Sequence, residues 1–460
     1  MPPRLIDSLT TTAPLAEIFS DGSVLQALLD FEAALARAEA GAGVIPRSAA
    51  QAIEFAAKAT NFDNAPLAAE FLRAGTPGIP LVKALTEKVR SANEEAARFV
   101  HWGATSQDAA DTALVLLLKS AQPVLNADLA RVEQALAAIS EKHRGSVMLG
   151  RTLLQAAPPV TFGLKAAGWL AAIRRSRARL DSAFAESLIL QFGGASGTLA
   201  ALGDKGFEIG RALASDLGVA LPDAPWHAHR DRLAALVAAC GVLTGCLGKM
   251  ARDLALLMQG EVAEAFEPAG AGRGGSSTMP QKRNPIASAI AIAAAHRLPG
   301  LVAAFLAGMV QEHERGVGGW QAEWATVSEV IQATGVALAS MAEAAEGLDV
   351  NVAEMRQNIA ATNGAVFAER VSMMLATSLG REQAHKILED AARRSELQRR
   401  KLGDVLAENP EVTRLIDRDI LRDLDRPESY LGVAEELRKR LLAGSESRSV
   451  PDADSRKKRK

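Results

Sequence analysis

From Leu233 to Leu247 almost every residue is apolar or glycine, with Thr244 the chief exception. The fifteen positions from 233 to 247 make about four turns of helix. A helix that is apolar on every side must be buried on every side. Ile286 to Ala295 and Leu298 to Val310 repeat that character. One chain can cover part of such surface, but several long helices of this kind fit better when identical chains pack into one core. Aromatic residues are only 4% of the chain, so the core must be built mainly of Ala, Leu, Val and Ile. That composition suits close helix packing better than sheets. The expected fold class is all-α, with a central bundle of long helices.

A chain of 460 residues exceeds one ordinary domain. Three helical segments are expected: an N-terminal domain over 1–106, a central bundle over 107–349 and a C-terminal domain over 350–445, with a disordered tail over 446–460. In the first, Phe19-Ser-Asp-Gly22 is a turn, Ser23 is placed to cap a helix, Gly41 to Pro46 ends it, and Ala74 to Pro80 is a second break. The C-terminal segment is richer in charge, with turns at Asn363-Gly364 and Leu379-Gly380. A net charge of −2 gives no global electrostatic case for nucleic acid or membrane partners. Cys240 and Cys246 sit in one apolar run and read as reduced core residues. No signal-type segment follows Met1 and no unbroken apolar run reaches the ~18 residues of a membrane span. A cytoplasmic location is expected.

The stretch Gly270-Ala-Gly-Arg-Gly-Gly-Ser-Ser-Thr-Met-Pro-Gln-Lys-Arg-Asn-Pro285 resembles neither apolar segment beside it. Four glycines allow the backbone to move, and Ser276, Ser277, Lys282 and Arg283 follow at once. Asn284 as N-cap and Pro285 at the first helical position restart a helix, whose N-terminus favours anions. By composition alone the loop also suits a solvated connection between helices. Its wording, Gly275-Ser-Ser-Thr-Met-Pro-Gln-Lys-Arg-Asn-Pro285, resembles the signature of the fumarase/aspartase superfamily. In that family the loop closes over a polycarboxylate. The resemblance implies Ser276 as catalytic base, Lys282 as the cation that stabilises an enolate-like intermediate, and Asn284 on the substrate.

Four further stretches bear on the site. His101-Trp-Gly-Ala-Thr-Ser-Gln-Asp108 opens a helix, and Thr105 with Asp108 has capping-box spacing. It is similar to the superfamily's second signature, which implies Thr105 and Ser106 as carboxylate binders, with His101 nearby. Leu149 to Gly163 resembles a third segment, in which argininosuccinate and adenylosuccinate lyases carry a catalytic histidine. Leu153 stands there and cannot transfer protons, while Thr152 and Gln155 remain as polar contacts. Gln191 to Leu199 is a Gly/Ser loop of the kind the family places near its site. Trp226-His-x-x-Arg-Asp-Arg232 and Glu314-Arg315 with Trp320-x-Ala-Glu-Trp324 are nearer the cycloisomerase branch, and Arg315 suits a substrate carboxylate. His227 and His229 lack a cluster that completes a metal ligand set.

The resemblance spans roughly residues 19–440. It implies a three-domain fumarase/aspartase-type fold, a homotetramer with active sites shared between chains, and a small tricarboxylate as substrate. No metal and no organic cofactor are expected. The implied reaction is a lyase chemistry run intramolecularly, closing a lactone in protocatechuate breakdown. The alternatives are an adenylosuccinate- or argininosuccinate-type lyase, against which Leu153 argues, and a non-catalytic structural protein on the same scaffold.

Overall fold

The apolar stretch at 233–247 lies inside a longer helix, Asp231–Leu257. Four helices of comparable length accompany it: Ser106–Lys142, Phe162–Ser187, Ile286–Ala307 and Gly319–Glu346. The structure is a computed structural model and describes residues 5–270, 274–275, 279 and 282–444. Helix accounts for 70% of it, so the all-α expectation holds. The two apolar segments after Pro285 form one helix that runs through Pro299 rather than two. The expected tail over 446–460 lies outside the described residues.

The chain divides into two compact units, each discontinuous in sequence. The first comprises Met1–Ala130, Arg175–Ala251 and Ala287–Ala342; the second comprises Arg131–Arg174, Arg252–Ile286 and Glu343–Lys460. In the first unit, Leu28, Phe31 and Leu35 of the helix Asp21–Gly41 share a core with Ile53, Leu85 and Leu213. Small residues let its helices approach closely. A Cβ on Gly335 would lie 2.1 Å from Leu15 Cδ1, and one on Gly248 would lie 2.5 Å from Ala295 Cβ. Overpacking of this kind costs about 1–3 kcal/mol. In the second unit, Phe367, Leu375, Leu402 and Leu406 pack with Val147 and Leu149.

Local punctuation is mostly as the sequence implies. Gly41 ends its helix, Gly75 and Gly364 take left-handed conformations, and Asn363 does so too, at φ 50°. The cap expected at Ser23 belongs instead to Ser20, whose Oγ accepts from Ser23 N–H at 3.3 Å. Ser23 Oγ itself donates to Glu17 O at 2.7 Å. A hairpin departs from the all-helical expectation: β1 (Val147–Thr152) pairs antiparallel with β2 (Gln155–Thr161). Only then does the helix Phe162–Ser187 begin.

Among the described residues, three helices suffice by length and composition to cross a membrane: Ser106–Lys142, Asp231–Leu257 and Ile286–Ala307. This corrects the expectation drawn from unbroken apolar runs, because a helix of this length keeps a high mean hydropathy despite an occasional polar residue. The most apolar windows of the three are 39%, 61% and 22% buried by the chain itself. The third leaves Ile286 and Leu306 bare.

Candidate functional site

In the first unit, the residues expected at the site gather at the start of the helix Ser106–Lys142. Half of the expected capping box forms: Thr105 N–H donates to Asp108 Oδ2 at 3.1 Å. The other half does not, because Thr105 Oγ1 instead accepts from Arg315 Nη1 at 2.9 Å. Arg315 Nη2 donates to Gly194 O at 2.8 Å and Ala195 O at 2.7 Å. The guanidinium thus ties the Gly/Ser loop to the helix end. Ser106 occupies the first helical turn, where a Cβ on Gly78 would lie 2.4 Å from its own Cβ. Only a glycine lets the chain at 78 pass so close.

Beneath these residues lies a fully buried polar network that ties four segments together. Asp108 accepts from Gly193 N–H at 3.0 Å, from Gly194 N–H at 2.9 Å and from His227 Nε2 at 2.7 Å. One helical turn later, Asp111 meets Arg230 in a two-pronged pair, Nη1 to Oδ2 at 2.8 Å and Nη2 to Oδ1 at 3.0 Å. Gln191 and Trp320 also donate to Asp111, at 3.0 and 2.9 Å. Burial pushes the Asp111 carboxyl up, but the Arg230 charge and these hydrogen bonds outweigh it and hold the group below the usual carboxylate range. Glu323 closes the far side of Arg230, Nη2 to Oε2 at 2.6 Å, and burial raises its pKa. The Arg230 guanidinium also stacks 4.6 Å from the Trp226 ring. Satisfied networks of this kind rigidify what they join, here the helix start, the loop at 191–194, the segment at 226–230 and the helix from Gly319.

His101 has a left-handed backbone at φ 58°, unusual for a residue with a side chain. Its Nδ1 lies 2.7 Å from Glu32 Oε1, and the Glu32 side chain is fully buried. Burial lowers the His101 pKa, but the Glu32 charge and hydrogen bond, with Asp108 adding to them, raise it above the ordinary histidine value.

The second unit holds the remaining expected residues. Thr152 and Gln155 are exposed Cα partners at the end of the β1–β2 hairpin. They flank a two-residue turn made of Leu153 (φ 50°) and Leu154 (φ 65°), which are 96% and 72% exposed. Such turns favour Asn and Gly; leucine in this conformation costs ~1–2 kcal/mol per residue. The hairpin is held at its root, where Arg151 pairs with Glu264 through two bonds of 2.8 Å and Asn358 donates to the same carboxylate at 2.9 Å. In the loop, Asn284 N–H donates to Gly274 O at 2.9 Å, and Gly274 is left-handed at φ 61°. Arg283 is anchored, donating to Glu267 O at 2.7 Å and lying 4.8 Å from the Phe266 ring. The neighbouring Lys282 is exposed. Ser276 and Ser277 lie outside the described residues. The helix after the loop begins at Ile286, one residue beyond the expected Pro285.

Among the described residues no three His, Cys, Asp or Glu side chains are placed to hold a metal ion. His227 of the two spaced histidines is spoken for by Asp108.

A family model described as Lyase matches residues 8–300. That is more than half of the chain. The chain belongs to this lyase family, the fumarase/aspartase superfamily. A second model, Adenylosuccinate lyase C-terminus, matches residues 364–441. Two curated relatives, both named 3-carboxy-cis,cis-muconate cycloisomerase, are similar nearly end to end. That of Bradyrhizobium diazoefficiens is 49% identical over 95% of this chain and 97% of its own length. That of Pseudomonas aeruginosa is 50% identical over 96% of each. The crystal structure of 3-carboxy-cis,cis-muconate lactonizing enzyme from Pseudomonas putida matches with a TM-score of 0.90 at 45% identity, covering 96% of this chain and 99% of that one.

In this fumarase/aspartase-superfamily chain, His101, Thr105, Ser106 and Arg315 share one neighbourhood of the first unit, while Thr152, Gln155, Lys282 and Asn284 belong to the second. Glu32, Asp108 as a hub, Asp111, Arg230 and Glu323 join this neighbourhood without being evident as such in the sequence. A signal existed for two of them: Asp108 and Asp111 stand three apart at the entry to an apolar helix, on one face.

Proposed function

We infer that this chain closes 3-carboxy-cis,cis-muconate to 4-carboxymuconolactone. The observation that carries this reading is the 49% identity with a cycloisomerase over 95% of the chain. Leu153 supports it against the fumarate-releasing lyases, since a leucine cannot take the part of their histidine.

One carboxylate oxygen of the substrate attacks a carbon of the double bond conjugated to another carboxylate. A C–O bond forms and the π pair moves onto that second carboxylate as an enolate-like dianion. Lys282 is the cation we assign to that developing charge, where a fixed positive charge stabilises the transition state more than the ground state. Return of the electron pair to carbon takes up one proton, and Ser276 is our donor, acting as the base of the reverse reaction. No electron is gained or lost overall, so the balance calls for no redox cofactor. Thr105, Ser106 and the helix-end amides hold the carboxylates, with His101 and Arg315 as cations beside them and Thr152, Gln155 and Asn284 as polar contacts.

Arg315 supports this in a way different from a simple fork. Its Nη2 is already shared between two loop carbonyls, so in this arrangement it meets the substrate through its other N–H groups rather than bidentately. We further propose a cytoplasmic homotetramer with active sites shared between chains. The bare apolar flank of the helix Ile286–Ala307 and the strained, exposed Leu153-Leu154 tip both favour coverage by other copies.

The test is loss of the conjugated diene absorbance of 3-carboxymuconate, run beside adenylosuccinate and argininosuccinate. Turnover of either succinate compound with no change in the muconate would overturn the reading, and no turnover of any would favour a structural role.

A further inference from the structure

The helix Asp21–Gly41 carries Glu32 and Glu39 inside an otherwise apolar buried face. They are seven residues apart and so lie on one side of the helix. Neither belongs to any of the motifs that carry the family resemblance. A buried carboxylate is tolerated only with a compensating charge or hydrogen bond. Glu39 has neither, since both its oxygens lack a hydrogen-bond partner among the described residues. Burial first, and the Glu32 charge second, push its pKa up to about 9. At neutral pH Glu39 is therefore a neutral acid.

Glu32 has one ion-pair partner among the described residues, His101 Nδ1 at 2.7 Å. Its second oxygen, Oε2, is buried with no hydrogen-bond partner among them. His101 is offered to it by a left-handed backbone, at φ 58°, two residues before Gly103 at φ 72° and shortly before the helix start at Ser106. A carboxylate at Nδ1 can only accept, so Nδ1 keeps its proton. Nε2 makes no hydrogen bond to any described residue, and the side chain is 13% exposed.

We propose that Glu32 is a positioning residue that fixes His101 as a cation, with Nδ1–H held by the carboxylate and Nε2–H presented to a substrate carboxylate beside Thr105 and Ser106. This deepens the functional reading above and rests on it for the identity of the ligand. The charged groups that act on His101 are Glu32 from the helix Asp21–Gly41 and Asp108 from the helix that starts at Ser106; both are anionic and favour the imidazolium. Asp108 is itself saturated by Thr105, Gly193, Gly194 and His227. Arg315, held on Thr105 Oγ1, is the cation next along the site. A raised histidine pKa means that the imidazolium's contribution is fully present below the ordinary histidine value and is lost as pH rises through the folded-state value.

The test is Glu32→Gln, nearly isosteric, measured in two ways. In the resting protein labelled with 13C at histidine Cε1, the resonance that His101→Gln removes should titrate at lower pH in Glu32→Gln than in the wild type. With 3-carboxymuconate, KM should rise about tenfold or more, the scale of a weakened charged hydrogen bond, while kcat changes less, and the alkaline limb of kcat/KM should move to lower pH. Glu32→Asp, which keeps the charge, should recover part of both. An unmoved His101 titration overturns the proposal whatever the activity. A moved titration with an unmoved alkaline limb also overturns it, since His101 would then not meet substrate as a cation. Wild-type protein that titrates as described but does not turn over the muconate leaves the Glu32–His101 pair standing and removes the functional reading instead. If Glu32→Gln does not fold, the titration of Glu32→Asp decides alone: an unshifted midpoint sinks the proposal.

Discussion

Replacing Glu39 by glutamine removes a titration without changing the shape of the core, and its effect on stability follows from two numbers. Glu39 has an ordinary value of 4.5 when exposed and about 9 in the fold. Between those limits the folded protein holds a proton that the unfolded chain releases, so unfolding becomes easier as pH rises. The slope is ~1.4 kcal/mol per pH unit, so relative to its value below pH 4.5 the wild type has lost ~3 kcal/mol by about pH 7 through this group alone. The glutamine variant has no such dependence. The stability of Glu39→Gln relative to wild type should therefore grow by ~4 kcal/mol from about pH 5 to pH 8. The assay is a pair of denaturant or thermal midpoints, wild type against variant, at steps across that pH range, where only the difference is read. A difference that stays constant across the range would show that Glu39 has a partner or is hydrated, and the reasoning from its isolation would fail.

Three other outcomes follow from the site. Ser276→Ala should lower kcat by roughly 10²–10⁴, the scale of a lost acid or base, with Ser277→Ala milder and Lys282→Met damaging kcat and KM together; the reverse order of the two serines would reassign the proton donor. Asp111→Asn should cost ~3–5 kcal/mol of stability, because it leaves Arg230 partly unpaired in the core; a midpoint unchanged from wild type would mean that Glu323 alone satisfies Arg230. Replacing Leu153-Leu154 by Asn-Gly should relieve ~1–2 kcal/mol of turn strain per residue yet lower activity, because the tip would no longer offer apolar surface to another copy; a fully active variant sedimenting as the same oligomer would remove the tip from the shared site.

The long helices were legible because a segment such as 233–247 has no polar face on which to lie at a surface. The β1–β2 hairpin was not, because its turn is Leu153-Leu154 rather than a pair of turn formers, and β2 carries Ala-Pro-Pro. Turn chemistry is the usual sequence signal for a hairpin, and here tertiary contacts of Val147, Met148 and Leu149 override its absence. The helix start at Ser106 was legible from Thr105 and Asp108, although Arg315 takes the hydroxyl that local capping would use. Glu32 was invisible as a site residue: it stands 69 positions before His101, and no local spacing relates them. A carboxylate on an apolar helix face marks either a distant partner, as at Glu32, or a group kept neutral, as at Glu39, since burying the ionised form alone is costly. Arg230 and Glu323 stand out in the sequence only as parts of Trp-containing motifs, because sequence does not say that a charged residue is fully buried.

Product analysis in heavy water tests the central claim most directly. Protein incubated with 3-carboxy-cis,cis-muconate in D2O should give one product of the substrate's composition, a lactone with a single deuterium on the carbon that received the proton. Release of fumarate or any second fragment, or a ring closed without deuterium uptake, would contradict an intramolecular addition completed by a protein-held exchangeable proton.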